Sequence, residues 1–140
     1  MIVAELLTGK TTCVLSNGTT ILKSEYSGIR PMLEWISEGR ELKGFAVADK
    51  IVGKAAAMLF VKAKLASVYA EVLSVPGKKY LEAHGIPVTY GTLTDRIINR
   101  KGDGLCPMEQ TVLNIDDAEE GYLALKAKSE ELRRASEDIK

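Results

Sequence analysis

The sequence predicts a three-layer α/β domain, in which a mixed β-sheet lies between helices on both of its faces. Strand-like runs rich in branched and aromatic residues alternate with helix-like runs, which is the order expected of a layered fold. An Asn17-Gly18 pair between two strand-like runs indicates an early hairpin, so at least one strand should be antiparallel. The 140 residues contain no internal repeat or linker, and we interpret residues 1–140 as a single domain.

The first third of the chain predicts four elements. In order, these are a short amphipathic helix over 2–8, the hairpin over 11–24, a helix over 28–41 and a strand over 44–50. Pro31 and Gly39 mark the start and the end of the second helix. Its apolar side chains predict one buried face, made of Met32, Leu33, Trp35 and Ile36.

The remaining elements continue the alternation. They are a helix over 50–66, a strand over 67–74, a helix over 76–85, a strand over 86–93, a polar loop over 94–104 and two further helices that begin near Pro107 and Asp116. The helix over 50–66 is small and apolar on nearly all sides, so we expect it to pack in the middle of the molecule.

Composition excludes several classes of function. The chain is 46% hydrophobic and 27% charged, and its 19 basic residues equal its 19 acidic ones. This balance favours neither a nucleic acid nor an anionic membrane as partner. Residues 55–61, the longest apolar run, are too few to span a bilayer, and the N-terminal residues do not resemble a secretory signal. With only two cysteines we expect reduced thiols and a cytoplasmic location.

One of these cysteines, Cys106, stands in a helix-start pattern within "GDGLCPMEQTVLN", residues 102–114. With Cys106 at the N-cap, Pro107 takes the first helical position and Glu109 the third, which is the layout of a capping box. The thiol is then either a weak substitute for a serine cap or a reactive group favoured by the helix dipole. For the second alternative, we expect Cys106 to be partly exposed and more reactive than Cys13.

Three charged residues in the central region are further candidates. Asp49 is either the N-cap of the central helix or a carboxylate facing a ligand. Lys54, which the helix dipole disfavours, pairs with Asp49 or contacts an anionic ligand. Glu71 lies inside a predicted strand, and we expect it to be partly buried as an acid, a base or a salt-bridge partner of Lys54.

The order of elements, the hairpin, "DKIVGKAAA" (49–57) and "IINRKGDGLCPMEQ" (97–110) resemble a small prokaryotic family of unknown function. Members of that family look like cytidine deaminases in fold. The resemblance implies an α-β-α sandwich around a mixed sheet of about five strands, and it implies no demonstrated activity.

Zinc deaminases hold their metal with His and Cys residues at two helix starts, together with a glutamate that shuttles protons. The corresponding starts here lie near 52–54 and 74–77 and contain neither residue type. We therefore expect no metal and no cofactor. Two helix N-termini that meet in one cleft would still attract a small anionic or nucleotide-like ligand. Asn99 and Arg100 in the basic loop are additional candidates for phosphate binding.

Two functions remain open from the sequence. One is a metal-independent enzyme that uses Cys106 as its nucleophile, with Glu71 and Glu109 as further catalytic residues and Asp49 and Lys54 in the ligand site. The other is a non-catalytic sensor or binding protein for a small molecule. A homo-oligomer is also possible, since the last helix carries an apolar stripe, although core packing explains the same stripe.

Overall fold

A computed structural model describes residues 3–99 and 101–138 of the chain. A 3-10 helix (Val3–Leu6) opens the described part, where the sequence predicts a longer helix. The elements that follow are β1 (Cys13–Ser16), β2 (Ile21–Ser24), α1 (Arg30–Ser37), β3 (Ala46–Val52), α2 (Lys54–Lys62), β4 (Ser67–Ser74), α3 (Val75–Ala83), β5 (Val88–Thr94), α4 (Pro107–Thr111) and α5 (Ala118–Asp138).

The strands form one mixed sheet in the order β2-β1-β3-β4-β5. Strand β1 is antiparallel to both of its neighbours, whereas β3, β4 and β5 run parallel to one another. The predicted α/β fold with a mixed sheet of five strands is therefore confirmed. None of the helices in the described ranges is both long enough and apolar enough to cross a membrane.

The hairpin forms at the predicted place with a longer connection than an Asn-Gly turn requires. Ser16 pairs with Ile21, so four residues join the strands. Gly18 has a positive φ of 94°, and the Asn17 side chain accepts hydrogen bonds from the backbone N–H groups of Thr19 and Thr20, at 3.0 and 2.7 Å. Asn17 thus stabilises the turn through its side chain, as Asx turns do.

Helices cover the two faces of the sheet unequally. Helices α1, α2, α3 and α5 pack on one face over the main core, in which the whole run from Ala55 to Phe60 of α2 is buried, as predicted. On the other face, Leu7 and the 3-10 helix cover Val14 and Ala48. This second layer is small and lies over β1 and β3, and it reaches Tyr69 of β4, whereas Glu71 of β4 and most of β5 remain open to solvent.

The N-termini of α2 and α3 lie against each other. A single residue, Gly53, separates β3 from α2, and β4 passes into α3 without a loop. A Cβ atom added to Gly77 would lie 2.9 Å from the carbonyl carbon of Gly53, which is closer than real Cβ contacts. Glycine at position 77 therefore allows the two helix starts to approach each other.

Candidate functional site

A pocket of about 380 Å³ opens beside the end of β3 and the start of α2, and we call it the Asp49 pocket. Its size is within the range of small-molecule sites. Polar and apolar side chains line it together with two glycines. The lining residues are Thr12, Ser27, Gly28, Ile29, Asp49, Lys50, Ile51, Gly53, Ala55, Ala56, Ile97, Cys106, Met108 and Glu109.

Asp49 lies in the interior of β3. The interpretation that it is the N-cap of α2 is therefore wrong. Asp49 pairs with Cys13 of β1, and only 5% of its surface is exposed. Burial raises the pKa of Asp49 to about 7, although the backbone N–H groups of Lys50 and Ile51 and the Cys13 thiol oppose this rise by hydrogen bonding. Burial and the adjacent carboxylate raise the pKa of Cys13 well above its usual value.

Glu109 is buried, and its carboxylate binds the N-terminus of α2. Oε1 accepts a hydrogen bond from the backbone N–H of Lys54 and Oε2 accepts one from Ala55, both at 2.8 Å. The predicted capping box is therefore wrong, because Glu109 does not turn back to the amide of Cys106. That amide donates instead to the carbonyl oxygen of Ile97 at 3.0 Å. Glu109 thus caps a helix that lies more than fifty residues earlier in the chain.

Gly53 explains why α2 needs a cap from another element. As the N-cap residue it has no side chain to accept a hydrogen bond from the first turn. A Cβ atom at this position would lie 2.3 Å from Oε1 of Glu109, so an alanine would displace the carboxylate. The glycine at a helix start was the one sequence signal that pointed to an external acceptor.

Lys54 points away from the Asp49 pocket. Its Nζ donates to the carbonyl oxygens of Val112, at 2.9 Å, and Leu113, at 3.3 Å, and lies 3.8 Å from a carboxylate oxygen of the exposed Asp116. These acceptor groups follow α4 in the chain. Their contacts with Nζ explain why a lysine occupies the first position of α2, where the helix dipole disfavours a cation. The predicted pairing of Lys54 with Asp49 or Glu71 does not occur.

The other predicted residues lie apart from one another. Glu71 is exposed rather than partly buried, because the second helical layer does not reach that part of β4. Asn99 donates to Asp103 at 2.9 Å within its own loop, and Arg100 lies outside the described residues. The structure therefore places Asp49, Cys106 and Glu109 around one pocket, without Lys54, Glu71 or Asn99.

Cys106 lines the Asp49 pocket and is partly exposed. It occupies the N-cap of α4 as predicted, but its sulfur makes no capping hydrogen bond. Helix α4 has five residues, so it provides little of the dipole on which the predicted reactivity depended. In residues 3–99 and 101–138, no three His, Cys, Asp or Glu side chains are grouped so that they could hold a metal ion.

Comparisons with known proteins identify the family. A family model, TM1506, described as a domain of unknown function (DUF1893), matches residues 1–129. The chain belongs to the DUF1893 family. A solved structure of a DUF1893 family protein from Thermotoga maritima matches with 32% identity and a TM-score of 0.78, over 84% of this chain and 80% of that chain.

A second solved structure does not extend this identification beyond DUF1893. It is a diaminohydroxyphosphoribosylaminopyrimidine deaminase/5-amino-6-(5-phosphoribosylamino)uracil reductase from Thermotoga maritima. The identity is 15% and the TM-score 0.46, over 58% of this chain and 29% of that chain. A match this weak does not confirm the deaminase-like fold expected from the sequence. No curated protein matches the chain significantly.

Proposed function

We propose that this DUF1893 protein binds a small, mostly apolar molecule in the Asp49 pocket, through a hydrogen-bond donor that faces Asp49. The observation that carries the proposal is a buried carboxyl group at the wall of a pocket whose other side chains include Ile29, Ile51, Ile97 and Met108. Pockets of this kind bind through apolar area and obtain orientation from a few polar groups. An amino group on a flat heterocycle satisfies both requirements.

The charges around the pocket favour a neutral ligand over an anion. Among the described lining residues, Asp49 and Glu109 carry carboxyl groups, which repel a phosphate when they are ionised. The first amides of α2, which would otherwise attract an anion, already donate to Glu109. Among the lining residues that the structure describes, Lys50 is the one cation, and its Nζ donates a hydrogen bond to the carbonyl oxygen of Gly9 at 3.3 Å. A nucleobase or nucleoside therefore fits these groups better than a nucleotide.

The proposal retains one part of the deaminase-like resemblance, which predicts two helix N-termini in one cleft. The starts of α2 and α3 adjoin at Gly53 and Gly77, but among the described residues only the α2 start lines the Asp49 pocket. Glu109, held on α2 from another element, takes the place of the group that such a cleft would otherwise bind. On this proposal the protein is a binding protein or sensor, and binding needs no metal.

Thermal-shift and calorimetric titrations test the proposal with neutral nucleobases, their nucleosides and the matching monophosphates. We expect at least one neutral compound to bind more tightly than its monophosphate. At pH 8, above the pKa of about 7 that burial gives Asp49, Asp49→Asn should weaken that compound about tenfold, because a carboxylate accepts hydrogen bonds more strongly than an amide. Ile51→Trp should also weaken it by filling the pocket from an exposed position, whereas Glu71→Gln, on the open sheet, should not. Equal affinity in all three variants would reject the site.

A second candidate function is reaction of the Cys106 thiol with an electrophilic ligand. Its support is that this partly exposed sulfur shares the pocket with Asp49, whereas Cys13 is buried. Alkylation by iodoacetamide, followed at each cysteine by mass spectrometry, tests it. We expect Cys106 to label faster than Cys13, and a pocket ligand to slow only the labelling of Cys106. Equal labelling rates at the two cysteines would reject the thiol reaction and leave ligand binding as the remaining candidate function.

A further inference from the structure

Strand β5 forms an edge of the sheet that nothing in the described chain covers. It is the last strand in the order, and within residues 3–99 and 101–138 no strand pairs with its outer side. Its seven residues, VTYGTLT, contain no charge and no proline. Its five central residues are exposed, among them Tyr90 at 40% and Leu93 at 43%. Isolated edges are normally protected by short length, charges or proline, because free N–H and C=O groups recruit other strands.

The opposite edge of the same sheet has the protection that β5 lacks. Strand β2 has four residues and carries Lys23, which is exposed. Both edges belong to one small domain, so a general tolerance of bare edges does not explain the difference. A long and uncharged β5 is the edge expected when another strand pairs with it.

Helix α3 supplies complementary charges beside this edge. Its Lys79 and Ala83 face a groove shared with Lys54 and Asp116, on the side of α2 and α5. Lys78 and Glu82 form an ion pair at 3.0 Å. Since α3 contacts both α2 and β5, we infer from helical spacing that this pair lies on the flank away from α2, nearer the β5 edge. This flank therefore presents one positive and one negative charge, a turn apart, along the helix.

We propose that two copies of this chain pair through their β5 edges about a two-fold axis, forming a continuous ten-stranded sheet. A two-fold axis perpendicular to the sheet makes the two β5 strands antiparallel and places both α3 helices on the same face. The α3 helices then also run antiparallel, so Lys78 of one copy lies opposite Glu82 of the other, twice. Because β5 is uncharged, pairing two copies of it places no like charges opposite one another. A second copy thus pairs with the free strand edge and also complements the charges of α3.

Sedimentation and light scattering test the dimer with two lysine variants that are matched in exposure. Leu93 on β5 and Ile21 on β2 are each 43% exposed, at opposite edges of the sheet. We expect wild type and Ile21→Lys to have about twice the 15.2 kDa chain mass, and Leu93→Lys to be monomeric. A monomeric wild type, or a Leu93→Lys protein that remains dimeric, would overturn the proposal.

A charge exchange on α3 gives a second test that leaves the strand unchanged. Lys78→Glu and Glu82→Lys should each weaken the dimer about threefold to tenfold, because each places like charges opposite one another. The double variant restores the complementary order and should recover the wild-type dimer constant. Circular dichroism checks that each variant is folded. Single variants that dimerise as wild type does, or a double variant weaker than both, would contradict the proposed pairing.

Discussion

Asp49 combines a buried position with a chargeable group, and the fold opposes its ionisation. Hydrogen bonding by the neighbouring Lys50 and Ile51 amides and the Cys13 thiol lowers the pKa of its carboxyl, yet burial is the larger effect and raises that pKa to about 7. In the unfolded chain the same group ionises near pH 4. The folded protein therefore holds this proton more tightly than the unfolded chain does between those two pH values.

Ionisation of Asp49 should lower the stability of the folded protein as pH rises. Because the folded-state pKa lies above the unfolded one, the free energy of unfolding should fall between about pH 4 and pH 7, by roughly 2–4 kcal/mol. Asp49→Asn should flatten that slope and stabilise the protein at pH 8. Urea unfolding at pH 5 and pH 8 measures the difference. Glu71→Gln, which removes an exposed carboxyl of β4, should keep the wild-type slope; a slope unchanged in Asp49→Asn would be inconsistent with this account.

Gly53 and Glu109 depend on each other. Because Gly53 has no side chain, the carboxylate of the distant Glu109 fits against the N-terminus of α2. Glu109→Ala removes two charge-assisted hydrogen bonds from buried helix amides and should cost about 2–4 kcal/mol. Gly53→Ala should cost about 1–3 kcal/mol, since its Cβ would overlap Oε1 of Glu109. In the Glu109→Ala background that overlap is gone, so the second substitution should cost less.

A double-mutant cycle from urea unfolding measures this coupling, which we expect to exceed about 1 kcal/mol. Gly104→Ala is the matched control for added volume, because its Cβ would meet only the Asn99 side chain, at 3.8 Å. Additive costs for the Gly53 and Glu109 substitutions would show that the carboxylate does not occupy the N-terminus of α2 in solution.

Helix α2 is joined to the segment around α4 in both directions. Its first amides donate to Glu109 within α4, and its first side chain, Lys54, donates to carbonyl groups just beyond the end of α4. Each contact satisfies polar groups at a helix terminus, where the helix itself supplies no partner. A five-residue helix far along the chain is held in place through these contacts.

We predict that Lys54 stabilises the fold without contributing to the Asp49 pocket. Lys54→Met should lower the free energy of unfolding by about 1–2 kcal/mol, because the carbonyl of Val112 loses its donor. The affinity of any ligand of the Asp49 pocket should stay within about twofold of wild type at a temperature where both proteins are folded. A tenfold loss of affinity would return Lys54 to the binding site.

Element by element, the sequence identifies most of the fold. Strand β4 has its predicted bounds, and Gly85 ends α3 as expected, because alternation and glycine are local properties. The end of β3 was misplaced because aspartate is a common helix cap, whereas pairing with β4 extends the strand to Val52. Burial of Glu71 was overestimated because local pattern does not reveal how far a second layer extends.

The candidate site forms only when segments that are distant in the sequence come together in the whole fold. The Asp49 pocket joins β3 and the start of α2 to Ile97, Cys106 and Glu109, which are brought together only when the sheet has formed. The sequence singled out Asp49, Cys106 and Glu109 individually, from residue type and position. It could not show that Glu109 reaches α2 or that Lys54 points away, since both depend on contacts between segments more than fifty residues apart.

Backbone amide signals in a ¹H–¹⁵N NMR titration distinguish a pocket that binds neutral donors at Asp49 from a cleft that binds anions at α2. The amides of Lys50 and Ile51 follow Asp49 in β3, where that of Lys50 donates to the carbonyl oxygen of Thr12 at 3.1 Å, and those of Lys54 and Ala55 donate to Glu109. We expect a neutral amino-bearing nucleobase or nucleoside to shift the first pair of signals at saturable concentrations, and inorganic phosphate to leave the second pair unchanged. Saturable shifts of Lys54 and Ala55 with phosphate, without any response of Lys50 and Ile51 to neutral compounds, would contradict the account.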